Sequence, residues 1–187
     1  MKPIVIWLTG LSGAGKTSIG KALYDKLKND YKIGFLDGEE VRKSLEEKKE
    51  RIYGFSLKER SQFINNVVYM ARNMIEFQET KIIIVALISP LEEMRKNARD
   101  LLKKYSNAIF IEVHVDTPIE ICEQRDTKGL YKKAKAGEIK DFTGIDSPYE
   151  RTPFPEVRIN YETTLYGKMT IERSVDLIFN RIVTHLG

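Results

Sequence analysis

One stretch decides the fold of this chain: Gly10-Leu11-Ser12-Gly13-Ala14-Gly15-Lys16-Thr17. It matches the pattern G-x-x-x-x-G-K-[ST], in which glycines let backbone N–H groups turn inward as a nest for an anion. The apolar, β-branched run 4–9 before it predicts a buried strand, and a helix is predicted from Lys16 to Leu27. The N-terminus of that helix adds partial positive charge beside the nest. A strand, a glycine-rich turn and a helix in this order predict a phosphate-binding loop, or P-loop.

The P-loop predicts nucleotide binding and two specific contacts. Lys16 is expected to reach the β- and γ-phosphates of ATP, and the Thr17 hydroxyl is expected to bind Mg²⁺. A GTPase is disfavoured because residues 127–130, Thr-Lys-Gly-Leu, fail the base-reading pattern N/T-K-x-D at its last position. The predicted ATP-binding residues of the loop are Gly10, Leu11, Ser12, Gly13, Ala14, Gly15, Lys16 and Thr17.

Along the rest of the chain, apolar runs alternate with amphipathic segments. The runs predict strands at 33–36, 81–88, 109–115 and 157–160, and the segments predict helices at 39–45, 56–79, 89–105 and 170–185, with another beginning at 117. Ser56, Ser89 and Thr117 are predicted to cap three of these helices. The alternation predicts an α/β protein: one domain over 1–187, with a parallel five-stranded sheet flanked by helices.

Positive charge is concentrated in one window. The chain has 31 basic and 27 acidic residues, a net charge of +4. The window from Arg125 to Lys140 holds six basic and two acidic residues, so the remainder is neutral. All of the window except Arg125 falls in segment 126–155, which contains glycine, proline and charge and is predicted to be a basic lid, with a solvated charged helix as the alternative. Such a patch suits a small polyanion, whereas nucleic acid would need a broader basic face and is not expected.

Composition excludes several other classes of protein. A single cysteine, Cys122, rules out a disulfide scaffold and a Cys-based zinc cluster, and it fits a reducing compartment. The longest apolar runs are far shorter than the roughly 20 residues that span a bilayer. We therefore expect a cytoplasmic protein without a membrane partner. His114 and His185 are expected to be structural.

Two carboxylates flank a glycine where the second strand is predicted to end. Asp37 and Glu39 could hold Mg²⁺, accept a hydroxyl proton, or do both, and the alternative is a turn before a capped helix. Nearby, Phe55 could stack on a base, and Arg42 and Arg60 could pair with phosphate or sulfate oxygens. A core phenylalanine and solvated surface arginines are the alternatives.

The sequence resembles the adenylyl-sulfate kinases, and the resemblance covers nearly the whole chain. It includes the wording of the P-loop, Leu-Asp-Gly-acidic…Val-Arg at 36–42, Gly-Phe-Ser…Arg at 54–60, and Ile88-Ser89-Pro90 followed by Arg95 and Arg99. It is most specific in the lid, with Cys-Glu-Gln-Arg-Asp-Thr-Lys-Gly-Leu-Tyr-Lys-Lys-Ala at 122–134, Gly-Glu-Ile at 137–139 and Phe-Thr-Gly-Ile at 142–145.

The resemblance implies a P-loop kinase fold and a reaction in sulfate assimilation, carried out by a homodimer with Mg²⁺. The γ-phosphoryl group of ATP would pass to the ribose 3′-hydroxyl of adenylyl sulfate, with Asp37 and Lys16 as catalytic residues. Arg125 and Lys128 would join the ATP site, and Thr17, Asp37 and Glu39 would hold the metal. Phe55 and Phe142 would enclose the acceptor's base. The implied acceptor-binding residues are Asp37, Glu39, Arg42, Phe55, Arg60, Ile88, Ser89, Lys128 and Phe142.

Ser89 is a third catalytic candidate, because it occupies the position to which a phosphoserine intermediate is assigned in the family. Direct in-line transfer needs no such intermediate. A serine before Pro90 also suits a helix N-cap. We therefore expect Ser89 to cap a helix or to contact the acceptor anion.

The chain departs from the family pattern at a few positions. Glu39 stands where the family usually has aspartate, and Phe63, Asn65 and Asn66 stand where it usually has asparagine and two arginines. The difference at Glu39 affects the expected metal geometry. Those at Phe63, Asn65 and Asn66 leave a second acceptor open, the 3′-hydroxyl of another 5′-nucleotide such as cytidine diphosphoramidate of capsule biosynthesis. A non-catalytic nucleotide-binding module is a third possibility, and the intact Lys16, Thr17 and Asp37 weigh against it.

Overall fold

The computed structural model describes residues 1–49, 53–161 and 170–186. Their strands form one parallel sheet in the order β2-β3-β1-β4-β5. The strands are β1 (Ile4–Thr9), β2 (Ile33–Asp37), β3 (Ile82–Ala86), β4 (Ile109–Asp116) and β5 (Val157–Asn160). The predicted parallel five-stranded sheet is therefore confirmed.

Helices cover both faces of the sheet. They are α1 (Lys16–Leu27), α2 (Gly38–Glu47), α3 (Leu57–Gln78), α4 (Glu92–Ser106), α5 (Ile119–Arg125), α6 (Leu130–Lys135) and α7 (Ile171–Ile182), followed by a 3₁₀ turn (Val183–His185). No helix in this described part of the chain combines the length and apolarity needed to cross a lipid bilayer.

The central strand β1 separates two apolar cores. Ile4, Ile6 and Leu8 pack with α1 and α7 on one face, whereas Val5 and Trp7 pack with α3 and α4 on the other. Because successive side chains of a strand point to opposite faces, a strand buried on both sides must be apolar at every position. This requirement explains the uninterrupted hydrophobic run that begins the chain.

Strand order brings three loops to the same edge of the sheet. The P-loop follows β1, Asp37 ends β2, and Ser89 follows β3. Because β1, β2 and β3 are parallel neighbours in one sheet, their carboxyl ends meet at one crevice. The topology therefore gathers residues that lie far apart in the sequence.

Two of the predicted helix caps are wrong. α4 begins at Glu92 with Leu91 as its N-cap, and α5 begins at Ile119 with Pro118 as its N-cap. The Ser89 hydroxyl instead accepts a hydrogen bond from Trp7 Nε1, and the Thr117 hydroxyl donates to the Ala14 carbonyl. Each hydroxyl is hydrogen-bonded to a residue more than 80 positions away in sequence, and no local pattern predicts such a contact.

Where the cap is local, the prediction is confirmed. Ser56 Oγ accepts from the Glu59 amide, and the Glu59 side chain accepts from the Ser56 amide in return. This capping box satisfies two N–H groups that the first turn of α3 would otherwise leave free.

Candidate active site

A cavity of about 720 Å³ opens at the carboxyl edge of the sheet, a volume typical of small-molecule sites. It is lined by the P-loop, the start of α2, the first turns of α3, the loop after β3 and the beginning of the lid. The predicted site residues that line it are Ser12, Gly13, Ala14, Gly15, Lys16, Thr17, Asp37, Glu39, Arg42, Phe55, Arg60, Ile88, Ser89, Arg125 and Lys128.

The P-loop has the backbone that an anion nest requires. Gly10, Gly13 and Gly15 have backbone φ values of 147°, 73° and 112°, which residues other than glycine rarely adopt. A Cβ at Gly10 would also lie only 2.6 Å from the Val115 carbonyl oxygen. The loop can therefore turn its amides inward only with glycine at these positions.

Lys16 is a buried ammonium held by the loop itself. Its Nζ donates to the carbonyls of Gly10 at 2.8 Å and Leu11 at 2.7 Å. Burial lowers the pKa of Lys16 to about 8, although nearby Asp37 acts in the opposite direction. A desolvated cation whose hydrogen bonds go to neutral carbonyls is stabilised when an anion binds beside it.

Asp37 joins the P-loop to α2. Its Oδ2 accepts a hydrogen bond of 2.6 Å from the Thr17 hydroxyl. Its Oδ1 accepts from the amides of Glu39 at 3.0 Å and Glu40 at 3.4 Å, so Asp37 is the N-cap of α2. The carboxylate is 5% exposed and keeps one oxygen on the P-loop side. The capped turn that the sequence left as an alternative is thus present together with the contact to Thr17.

Glu39 lies further out than Asp37. Its side chain is 64% exposed and forms an ion pair with Lys128 of the lid. Within the described ranges, no group of three or more His, Cys, Asp or Glu side chains is arranged to hold a metal ion. Asp37 and the Thr17 hydroxyl are adjacent oxygen donors in the lining of the cavity.

Two arginines and two phenylalanines form the wall at α3. The Arg42 guanidinium lies 4.0 Å from the Phe63 ring centroid and 5.1 Å from that of Phe55. Arg60 lies 5.4 Å from the Phe55 ring, and it donates to the carbonyls of Phe55 at 2.7 Å and Asp141 at 2.9 Å. Phe55 is half-exposed and lines the cavity, so its ring is available for stacking.

The two guanidinium groups create an electropositive pocket. Burial, together with the neighbouring charge of Arg42, lowers the pKa of Arg60 to about 10. Burial also lowers the pKa of Arg42. Among the residues that the structure describes, no carboxylate lies within ion-pair distance of either group. The pocket therefore favours an incoming anion.

The structure does not bring Phe142 to Phe55. Phe142 is 6% exposed and belongs to the apolar core, where its ring packs edge-on against Tyr131 at 4.9 Å. It does not line the cavity, and neither do Gly10 and Leu11 of the P-loop. The neighbouring Asp141 carbonyl is the part of this segment that reaches the arginine pocket.

Ser89 is buried in the wall beside the pocket. It is 2% exposed and has a φ of 46°, in the left-handed region. Its hydroxyl accepts from Trp7 Nε1 at 2.9 Å, which leaves its own proton free to be donated. The preceding Ile88 carbonyl accepts from Thr9 Oγ1 at 2.6 Å. These bonds hold the loop after β3 against β1.

The first part of the lid rests on the P-loop. Arg125 Nη1 donates to the carbonyls of Gly13 at 3.0 Å and Ala14 at 3.3 Å, and the Tyr131 hydroxyl donates to the Ser12 carbonyl at 3.0 Å. One basic side chain, Arg125 immediately before the lid segment, is thereby placed against the P-loop.

The sequence reasoning missed one end of the cavity. Tyr161 follows β5 and lines the cavity together with Ile171 and Ser174 of α7. The Arg125 guanidinium lies 5.2 Å from the Tyr161 ring, so the two side chains form a cation–π pair at this end of the cavity. Its position in the sequence could have indicated Tyr161 as a site residue, because it comes directly after the last predicted strand and ligands bind at the carboxyl ends of strands.

Known proteins are similar to this chain in sequence and in fold. The family model described as adenylylsulphate kinase matches residues 2–160. The adenylyl-sulfate kinase of Clostridium acetobutylicum is 44% identical over 189 residues, covering 98% of this chain and 85% of that protein. The adenylyl-sulfate kinase of Microcystis aeruginosa is 42% identical over 185 residues, covering 98% of this chain and 93% of that protein.

A solved structure agrees with these relatives. The Mycobacterium tuberculosis APS kinase CysC in complex with AMPPNP and APS superposes with a TM-score of 0.85 at 34% identity, covering 97% of this chain and 98% of that one. Because sequence and fold both match over almost the full length, the chain belongs to the adenylyl-sulfate kinase family of P-loop kinases.

Proposed function

We propose that this protein transfers the γ-phosphoryl group of ATP to the ribose 3′-hydroxyl of adenylyl sulfate. The 3′-oxygen attacks the γ-phosphorus, the bond from that phosphorus to the β,γ-bridging oxygen breaks, and the hydroxyl proton is lost. The products are 3′-phosphoadenylyl sulfate and ADP. Family membership supports this reaction, and the geometry of the cavity supports the roles assigned below.

One observation carries the proposal: Asp37 lines the same cavity as the P-loop and the two arginines Arg42 and Arg60. It accepts a hydrogen bond from Thr17 of the P-loop, and it caps α2, the helix that carries Arg42. A triphosphate on the P-loop and an anionic acceptor at the arginines would meet at Asp37. We assign this carboxylate to orienting the 3′-hydroxyl and accepting its proton.

The ATP half would be held by the P-loop and the lid. The amides of the loop and the Lys16 ammonium would bind the phosphates, where Lys16 offsets the charge that develops on transfer. Arg125 and Tyr161 would form the part of the cavity lining that the adenine contacts. The exposed Lys128 would approach the phosphates when the lid closes over them and excludes water.

Mg²⁺ fits the donors at the base of the cavity. The hydroxyl of Thr17 and the carboxylate of Asp37 are hard oxygen ligands, and Mg²⁺ is usually held by one or two carboxylates plus substrate phosphates. Glu39 could join them only after leaving Lys128. When bound, the ion would neutralise charge on the phosphate oxygens.

The acceptor would be recognised by charged groups and by stacking. Arg42 and Arg60 would pair with the phosphosulfate oxygens, while Phe55 would stack on the base. Ser89 would donate its free proton to the acceptor. We assign it no covalent role, because its buried hydroxyl is engaged by Trp7 and in-line transfer needs no intermediate.

The proposed homodimer rests on the family resemblance. Light scattering of the purified chain should give twice the mass of one chain, and the monomer mass would contradict it. The single domain over 1–187 likewise remains a prediction, with one cooperative unfolding transition as its check.

A second acceptor is favoured by one observation. Phe63 lines the acceptor half where the family usually has asparagine, and its buried ring supports Arg42. An apolar ring cannot form the hydrogen bond that an amide would form with a nucleotide. A pyrimidine 5′-nucleotide such as cytidine diphosphoramidate is therefore the competing acceptor.

The test is a direct competition between acceptors. Purified protein with ATP and Mg²⁺ is offered adenylyl sulfate and cytidine diphosphoramidate separately, and kcat/KM is measured for each. We expect adenylyl sulfate to be preferred by at least about a hundredfold, on the scale by which polar sites discriminate. The reverse preference would establish the second acceptor, and no 3′-phosphorylated product from either would point to a non-catalytic module.

A further inference from the structure

Arg95 is a fully buried cation to which the proposed reaction gives no role. It is 1% exposed, and its nitrogens face three separate segments. Nε lies 2.9 Å from Glu112 Oε1 on β4, as an ion pair whose N–H is not aimed at the oxygen. Nη1 donates to the Ser89 carbonyl at 2.8 Å, and Nη2 donates to the Glu150 carbonyl at 2.9 Å.

The first of these carbonyls, that of Ser89, belongs to residues 88–90 after β3, which we call the acceptor wall. Ile88, Ser89 and Pro90 line the cavity, whereas Arg95 does not. Ser89 adopts a φ of 46°, which a serine keeps only when its surroundings hold it there. Its carbonyl is held by Arg95 and its hydroxyl by Trp7. The conformation of the acceptor wall therefore depends on the hydrogen bond that Arg95 donates to the Ser89 carbonyl.

The second carbonyl lies where the lid segment 126–155 returns to the core. The Glu150 amide donates to the Pro90 carbonyl at 2.8 Å, so the returning chain is bonded to the wall itself. Two residues further on, Thr152 Oγ1 donates to Glu112 Oε1 at 2.5 Å, the oxygen that pairs with Arg95. Arg95 and Glu112 thus join the acceptor wall to the end of the lid.

We propose that Arg95 is a positioning residue for the acceptor, acting through Ser89 and Glu150 without touching a substrate. This inference rests on the proposed function, since it assigns Ser89 and its neighbours to the acceptor half. Stability alone gives no reason for the cation, because well-packed apolar side chains often replace buried ion pairs without loss. A planar guanidinium, by contrast, fixes two carbonyls in one geometry, which apolar packing cannot do.

The test compares Arg95→Lys with Arg99→Lys. Arg99 lies one turn later on α4 and also pairs with Glu112, but its hydrogen bonds go to Phe110, Glu112 and Glu156 and not to the wall. Both variants keep the positive charge and lose the planar guanidinium that can donate to two acceptors at once. For Arg95→Lys we expect KM for adenylyl sulfate to rise about tenfold, with KM for ATP within twofold of the unmodified protein. Arg99→Lys should leave both constants within twofold.

A second readout does not depend on turnover. Trp7 is the single tryptophan of the chain, and its indole donates to Ser89. Its fluorescence therefore reports on the wall, and Arg95→Lys should shift its emission whereas Arg99→Lys should not. Unchanged Trp7 emission in Arg95→Lys, or equal rises of both KM values, would overturn the inference.

The outcomes separate this inference from the proposed function. An unmodified protein that does not phosphorylate adenylyl sulfate would refute the function, and Trp7 emission would still decide whether Arg95 holds the wall. If Arg95→Lys does not fold, the near-isosteric Thr152→Val replaces it, because it removes the lid end of the same network. We then expect a threefold rise in KM for adenylyl sulfate alone, and no change would count against the proposal.

Discussion

The Thr17 hydroxyl donates a 2.6 Å hydrogen bond to Asp37 Oδ2, and this bond connects the P-loop to the tip of β2. The other oxygen of the same carboxylate caps α2. One buried side chain therefore positions a helix and faces the phosphate site. Its two roles can be separated by substitution.

Asp37→Ala should lower turnover by about 10² to 10⁴, the range expected when a general base is removed. It should also destabilise the protein by about 0.5–2 kcal/mol, because the amides of Glu39 and Glu40 lose their cap. Steady-state kinetics and urea unfolding measure the two effects.

Asp37→Asn is the matched control for the carboxylate. The amide oxygen can still cap α2, so stability should stay within about 0.5 kcal/mol of the unmodified protein, since asparagine is as good an N-cap as aspartate. Turnover should still fall by at least about a hundredfold, because the amide cannot accept the proton. Near-normal turnover of either variant would refute the assigned role.

Phe55→Ala and Phe142→Ala should have opposite consequences. The ring of Phe55 is 48% exposed in the cavity, so its loss should raise KM for adenylyl sulfate by about tenfold, as expected for lost base stacking, and leave Tm nearly unchanged. Phe142 is 6% exposed in the core, and truncation should cost about 3–5 kcal/mol.

Calorimetry and acceptor titrations check this pair. At roughly 2–4 °C per kcal/mol for a chain of this size, Phe142→Ala should lower Tm by about 6–20 °C. A large rise in acceptor KM with an unchanged Tm for Phe142→Ala would instead mean that the segment around 142 swings into the cavity and encloses the base.

ATP affinity should fall as the pH rises above 8. Burial lowers the pKa of Lys16 to about 8, so in the nucleotide-free protein the ammonium is present below that pH and lost above it. If only the ammonium form binds, affinity at pH 9.5 should be about thirtyfold weaker than at pH 7. Calorimetric titration with an ATP analogue measures this.

The same pKa has the opposite effect on stability. Because the unfolded chain keeps the proton more tightly, burying the Lys16 ammonium costs stability below about pH 8, and the free energy of unfolding of the nucleotide-free protein should rise with pH from about 8 to 10.5. Lys16→Met should abolish the pH dependence of ATP affinity and of stability described above, and it should weaken ATP binding at every pH. A flat affinity from pH 7 to 9.5 in the unmodified protein would contradict the assignment.

Lys128→Gln should impair the reaction without affecting stability. Lys128 and Glu39 are 51% and 64% exposed, and exposed ion pairs contribute little to folding, so Tm should change by less than about 2 °C. Turnover should drop by about tenfold, since a cation of the closing lid is lost. Lys132→Gln, on the same basic segment, should leave turnover unchanged, and equal losses in both variants would argue for a non-specific effect of charge.

The elements whose signals are local agree with the sequence most closely. β1 and α1 were predicted to the residue, because the apolar run, the glycines and Lys16 all act within a few positions. The capping box at Ser56 is local in the same sense. The wrong caps at Ser89 and Thr117 have partners across the sheet, and those partners outweigh the local preference.

Residue types and short spacings are enough to predict the P-loop, the alternation of strands and helices, and the paired carboxylates and arginines. Which of these groups share a cavity depends on the order of the strands, because that order sets which loops meet at the edge of the sheet. The fold places Phe142 in the core away from Phe55, brings Tyr161 into the cavity lining beside Arg125, and buries Arg95 against the Ser89 carbonyl. Burial and long-range hydrogen bonds depend on residues distant in sequence, and no local pattern contains them.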